Sequence, residues 1–234
     1  MKRDERKERK PGNKHVGHRA REKKRFLEHG LENFNDINAL ELLLFFAKPQ
    51  GDTNELAHDL LERFGSLARV LEASPEELKT VSGVKEHTAV LLRLIPEISR
   101  RYMTGKFPRS EPVDNATAAG RYFVPHFMYE RTEVVLALLL DARKHPICCE
   151  ELSRGVVNAA EIQTRRLAEL CLERRASAVV LAHNHLSGNA APSREDEIAT
   201  ERLSRALAML GVELIDHIIV ADCGYVSMRE CGLL

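Results

Sequence analysis

Two unbroken apolar runs stand out along a chain otherwise spaced like helices. Glu133-Val134-Val135-Leu136-Ala137-Leu138-Leu139-Leu140 and Ser177-Ala178-Val179-Val180-Leu181-Ala182 are short and partly β-branched. Such runs predict central strands covered on both faces. After the first, Asp141-Ala142-Arg143-Lys144-His145-Pro146 reads as a turn into Ile147-Cys148-Cys149, hence a hairpin. Upstream the period changes. Leu40, Leu43, Leu44 and Ala47 precede Lys48-Pro49-Gln50-Gly51, and Leu56, Leu60, Leu61 and Phe64 precede Gly65, as in short packed helices. Ser74-Pro75-Glu76-Glu77-Leu78 reads as a helix start with proline in its first position, leading through Val81-Ser82-Gly83-Val84-Lys85 into a further apolar helix. Glycine and two prolines then interrupt the pattern between Thr104 and Pro112. The expected organisation is a helical domain over 26–103, a linker over 104–113 and a second domain over 114–234. In the second, a lead-in helix over 115–128, the Glu133 strand and hairpin, a helix over 160–175 and the second apolar strand come first. A helix after Ser193 and two strands near 212–220 and 225–228 complete an α/β sandwich beside the smaller all-helical N-terminal domain.

Composition refines this picture at one end. A chain of 234 residues with 44% hydrophobic and 30% charged residues can bury one or two cores, and its formal net charge is zero. The charges are segregated, with twelve Lys or Arg against four Asp or Glu in residues 1–25 and scarcely any apolar side chain. That stretch is expected to be a disordered tail, either merely solvated or a nonspecific phosphate-binding arm. It lacks the apolar centre of a signal peptide and no run approaches a membrane span, so a cytoplasmic location without membrane contact is expected. Five cysteines without framework spacing agree with a reducing compartment.

The chemistry concentrates in His183-Asn184-His185, followed after seven residues by Ser193-Arg194-Glu195-Asp196. On a strand, residues i and i+2 project from one face, so two imidazoles can grip one ion. Leu186 to Pro192 reads as a loop and Ser193 as a helix N-cap, with Leu203, Ala206, Leu207 and Leu210 at helical spacing and Gly211 as a stop. Asp196 then lies in the first turn of that helix. Two nitrogens and one carboxylate leave the fourth zinc position for water, which is the catalytic type of site. The plainer alternative is a capping pair at Ser193 and Asp196 and a polar rim at the histidines.

These residues resemble the JAMM (MPN+) metalloproteases, whose motif is His-x-His, seven residues, Ser-x-x-Asp with a separate upstream glutamate. The resemblance is closest to the bacterial RadC, or UPF0758, branch. It extends over Glu133-Val134-Val135, Leu138 to Asp141, Pro192 to Asp196, Asp216-His217-Ile218-Ile219-Val220 and Tyr225 to Glu230, about the C-terminal hundred residues. It implies a cytidine deaminase-like α/β sandwich in which His183, His185 and Asp196 ligate zinc. Ser193 would hydrogen-bond the bound water or the developing oxyanion, and Glu133 would be the general base. Beside an apolar strand, desolvation would raise the Glu133 pKa unless a cation or donor held it ionised. Taken alone, Glu133 reads as a strand-edge residue, and only the resemblance makes it a base. Leu186 departs from the branch's usual proline and Ala160-Glu161-Ile162-Gln163 from its Arg-Glu-Val-Phe, and both departures bear on loop shape and substrate choice. Val81 to Lys85 is similar to the turn of a helix-hairpin-helix module, which presents backbone amides to phosphate. There Lys85 replaces the second glycine, strained if the position needs positive φ and otherwise able to assist phosphate. His217 reads as a satisfied core histidine or as a contact behind a ligand.

Other chemistries fit less well. His-Asn-His is not the dispersed constellation of HNH nucleases, and Ser187-Gly188 stands where a metallo-β-lactamase pattern needs Asp-His. The sequence contains no Cys-x-x-Cys pair, Walker loop or Gly-x-Ser-x-Gly elbow. Cys148, Cys149 and Cys171 read as small buried hydrophobes. Three function classes remain. The first is a zinc metallopeptidase or isopeptidase that cleaves an amide in a protein or peptide with zinc-bound water. The second is a DNA-associated protein, the family's DNA repair label, making weak nonspecific contacts through residues 1–25 and the helical domain. The third is an assembly scaffold, which complete motif positions disfavour.

Overall fold

The helical spacing of the first part of the chain resolves into α1 (His18–His29), α2 (Asp36–Ala47), α3 (Asn54–Phe64), α4 (Leu67–Glu72), α5 (Pro75–Leu78) and α6 (Glu86–Gly105). The computed structural model describes residues 17–155, 160–222 and 224–234, with the side chains of 160–163 outside that description. Their starts are encoded locally. Asn35 accepts the Asn38 N–H, Ser66 accepts the Arg69 N–H, and Ser74 and Glu77 form a reciprocal capping box with Pro75 in the first position. Gly65 ends α3 at a φ of 87° that only glycine takes at no cost. Leu40, Leu44, Leu56, Leu60, Val70, Leu78 and Leu92 close one apolar core. Gly83 has positive φ and Lys85 does not, so the lysine in the Val81 to Lys85 turn is unstrained.

Two expectations need correction here. Residues 18–25 belong to α1 and are not disordered, whereas 1–16 lie outside the described residues. No side chain of α1 is buried, and the helix is tethered by polar contacts. The Arg19 guanidinium donates to the carbonyls of Lys48, Pro49 and Gly51 and stacks on the Phe45 ring, while His18 meets Glu41. A hydrophobic pattern cannot reveal an anchor of that kind. The chain also divides into compact units at Glu97/Ile98, inside α6, rather than at 104–113. Helix α6 itself continues through Pro96 as far as Gly105, into the start of the expected linker.

The second unit contains α7 (Ala116–Phe127), β1 (Val134–Leu140), β2 (Pro146–Arg154), α8 (Ala160–Arg174), β3 (Ala178–Asn184), α9 (Arg194–Met209), β4 (Glu213–Ala221) and β5 (Gly224–Ser227). The strands form one mixed sheet in the order β2-β1-β3-β4-β5, so this domain is α/β. Only β3 and β4 run parallel, and α9 supplies the crossover that a parallel pair requires. Alternate residues feed two cores. On one face Phe123 and Phe127 of α7 pack on Leu136, Leu138, Val180, Ala182 and Ile218. On the other, Leu167 and Cys171 of α8 and Leu203 and Leu207 of α9 cover Ala137, Leu139, Val179 and Leu181. Every residue of β3 is buried, which is why its sequence shows no polar alternation.

Cys171 is buried, whereas Cys148 and Cys149 are half-buried on the edge strand β2, less enclosed than expected, and Cys231 is exposed. Cys223 lies outside the described residues. Among the described residues no helix is long and apolar enough to cross a membrane.

Phe123 has no solvent exposure and sits at the centre of the α7 core. Truncation by Phe123→Ala is expected to cost about 3–5 kcal/mol. In urea denaturation this appears as a lower midpoint at unchanged slope.

Candidate metal centre

The final residues of β3 divide between the two faces of the sheet. Val179, Leu181 and His183 continue the face covered by α8 and α9, and Ala178, Val180, Ala182 and Asn184 the face covered by α7. His185 leaves the strand, its backbone N–H donating 2.8 Å to the Val220 carbonyl of β4, and keeps its ring beside His183. From above, α9 begins at the Ser193 cap. The Ser193 hydroxyl accepts the Asp196 N–H at 3.1 Å and donates to Asp196 Oδ2 at 2.6 Å, and Oδ2 also accepts the Ser193 N–H at 2.8 Å. Capping thereby commits one oxygen of Asp196 and turns the other, Oδ1, toward His183.

The resulting donor set fits a single metal ion. His183 Nε2 and His185 Nε2 lie 2.9 Å apart, His183 Nε2 and Asp196 Oδ1 3.2 Å, and His185 Nε2 and Asp196 Oδ2 3.4 Å. Tetrahedral zinc with bonds of about 2.0–2.1 Å has ligand-to-ligand edges of about 3.3 Å. Among the described residues this is the one group of three or more such side chains whose ligand atoms converge on a common point. Two histidines and one carboxylate are also zinc-type ligands in kind. Burial would raise the Asp196 carboxyl, but hydrogen bonds from His183 and Ser193 and the attraction of His183 outweigh it and hold the group below the usual carboxylate range. The start of α9 reinforces this, since its unpaired amides favour a negative charge.

Glu133 stands just before β1 and is exposed. The ladder starts one residue later, so the withdrawal from water expected of a carboxylate beside an apolar strand does not occur. Its register is informative. Val135 pairs with His183 in the antiparallel ladder, and two residues further the same alignment sets Glu133 opposite His185, on the α9 face. Asn184 fixes that alignment from the other face. This buried side chain accepts the Val134 N–H at 2.8 Å and donates to the Thr132 carbonyl at 3.0 Å, so it extends the ladder as a backbone would. Nothing in the His-x-His motif marks its middle residue for this task. The available clue is that a polar group on a buried face must find partners.

Behind the two histidines lies a second buried layer of polar side chains. His183 Nδ1 is 2.8 Å from His217 Nε2, and His217 Nδ1 is 2.6 Å from the Thr200 hydroxyl. Burial, then the neighbouring His183, lowers the His217 pKa to about 3. His217 is thus a satisfied core histidine, and the same contact places it against His183 of the candidate set. Thr200 was not singled out by sequence, although it lies one turn after Asp196 on the same helix face. Asp216 accepts from the Ser227 hydroxyl at 2.6 Å and from the amides of His217 and Arg229, tying the last turn of the chain to β4. Leu186, where the related branch has proline, is exposed beside His185, and the side chains of residues 160–163 lie outside the described residues.

Residues 113–233 match the model of the RadC-like JAB domain. The chain belongs to the RadC family. Across nearly its whole length it is also similar to curated UPF0758 proteins. It is 37% identical to one of Bordetella bronchiseptica over 91% of this chain and 94% of the relative. It is 36% identical to one of Idiomarina loihiensis (94% and 97%) and 33% identical to one of Xylella fastidiosa (92% and 96%). The RadC-like match spans β1 to β5 and every residue of the converging set.

In this RadC-family domain, Asn184→Ala leaves the buried amide of Val134 without its acceptor. A stability loss of about 1–3 kcal/mol is expected. Faster hydrogen exchange at Val134 locates the loss at the start of β1.

Proposed function

We propose that this chain is a zinc-dependent hydrolase of the JAMM type, a metallopeptidase or isopeptidase that cleaves an amide bond in a protein or peptide substrate. The observation carrying this reading is the convergence of two imidazole nitrogens and the Asp196 carboxylate, His183 facing Oδ1 and His185 facing Oδ2, at separations of 2.9–3.4 Å close to the edges of a tetrahedral site. Zinc held by His183, His185 and Asp196 would lower the pKa of water toward about 7 and polarise a carbonyl.

The chain's own groups divide the remaining work. Asp196, kept ionised by its donors, brings one negative charge to the ligand set and leaves a divalent ion with net positive charge. The Glu133 carboxylate, on the same face as the histidines, takes a proton from the attacking water and returns it to the departing nitrogen. Its exposure leaves room for an extended substrate to reach it. The Ser193 hydroxyl would donate to the developing oxyanion only by releasing Asp196 Oδ2, its present acceptor.

A second reading is favoured by one local feature. Gly83 at a φ of 90° shapes the Val81 to Lys85 turn, next to an exposed and unstrained Lys85. In that reading the protein is DNA-associated and its metal site is structural or vestigial. Salt-dependent DNA binding that weakens when residues 1–25 are removed would support it, and affinity independent of salt would sink it.

The deciding experiment is zinc analysis of purified wild type and His183→Ala, followed by presentation of both to a mixed amide and isopeptide library. Zinc and turnover in wild type, with both lost in the variant, are expected. Glu133→Gln should retain zinc and lose about 10²- to 10⁴-fold in turnover. Unchanged hydrolysis in that variant removes Glu133 from the chemistry, and a zinc-loaded but inert wild type favours the second reading.

A further inference from the structure

The line of polar groups behind His183 has only one arrangement of hydrogens that leaves the site able to bind a cation. Thr200 Oγ1 lies 2.6 Å from the Asp196 carbonyl and 2.6 Å from His217 Nδ1. A carbonyl can only accept, so the single hydroxyl hydrogen goes to Asp196 and a lone pair faces His217. His217 Nδ1 must then carry the hydrogen, and its Nε2, in the neutral ring, is bare. His183 Nδ1, 2.8 Å away, donates to that bare nitrogen, so that any hydrogen on His183 Nε2 is the one shared with Asp196 Oδ1, 3.2 Å away, and its release leaves Nε2 free to ligate. Reversing every hydrogen in the line would instead place one on His183 Nε2 and block ligation.

His185 reaches the same state by a simpler route. Its Nδ1 is 2.9 Å from the carbonyl of Asn189, which fixes the hydrogen there directly. His183 has no carbonyl in that role. Its partner is another imidazole, which accepts or donates according to what lies behind it. Thr200 and His217 are both buried, so water does not substitute for either.

We propose that Thr200 and His217 are positioning residues that set the His183 tautomer, with the α9 backbone carbonyl of Asp196 as the fixed end of the relay. The Asp196 peptide thus serves the site twice, its side chain as a ligand and its carbonyl as the reference for His183. This inference rests on the metal-site reading above, but it concerns where a hydrogen sits in the metal-free protein and is tested there separately.

The test uses the full chain in wild-type form and as Thr200→Val and Thr200→Ser. Valine removes the hydroxyl at nearly constant volume, and serine restores it. Nitrogen-15 NMR of the metal-free wild type should show His183 with its hydrogen on Nδ1, and Thr200→Val should shift part of the population to Nε2. Zinc affinity, measured by chelator competition, should fall about 10- to 100-fold in Thr200→Val and recover in Thr200→Ser. Circular dichroism establishes that the variants are folded. A wild type whose His183 Nδ1 carries no hydrogen overturns the proposal without any variant, should valine prevent folding. Thr200→Val with wild-type tautomer and wild-type zinc affinity overturns it equally. If wild type binds no zinc, the metal-site reading fails while the tautomer measurement still decides the relay.

Discussion

The parallel pairing of β3 with β4 is the constraint from which the site follows. Parallel neighbours cannot be joined by a tight turn, so the chain must leave the end of β3, cross one face of the sheet as α9 and return to start β4. That route brings the start of α9 back over the end of β3. Histidines at the strand end and an aspartate in the first helical turn are therefore delivered to one place by topology. Crevices outside the carboxyl ends of strands are common ligand sites in open α/β sheets for the same reason. The antiparallel strand β1 adds the third approach, because its start, and with it Glu133, lies beside the end of β3.

The same spot is expensive in polar groups, and each is matched. Asn184 replaces backbone partners for β1, Asp216 gathers Ser227 and two amides, and the His217 to Thr200 line ends on a helix carbonyl. All five side chains are buried. Losing one partner in such a line leaves another without any, so their contributions are coupled and cannot be summed one by one. Apolar packing on both faces of β3 supplies the rigid support under this polar end.

How much of this could be read from residues alone depended on the range of the interaction concerned. The two buried strands, the Ser193 cap and the His-x-His face obey periods of two or four residues, which any stretch of chain displays. The pairing of Val135 with His183, separated by 48 positions, is set by the global fold and has no local sign. Thr200 lies between the two cases. Its spacing from Asp196 is local, but its partner His217 comes from a different strand. The anchoring of α1 escaped a hydrophobic pattern because Arg19 holds on through carbonyls rather than through an apolar stripe.

The two readings of Ser193 and Asp196, as a helix cap or as part of a metal centre, do not compete once the geometry is known. An aspartate carboxylate has two oxygens, and the capping box draws its hydrogen bonds through Oδ2. His183 and those bonds together hold the group below the usual carboxylate range, with Oδ1 directed at His183 and Oδ2 facing His185. One residue thus caps the start of a helix and presents its carboxylate to both histidines. Loss of the Ser193 hydroxyl would thus loosen α9 and the aim of Asp196 together, because a single hydrogen-bonded ring serves both.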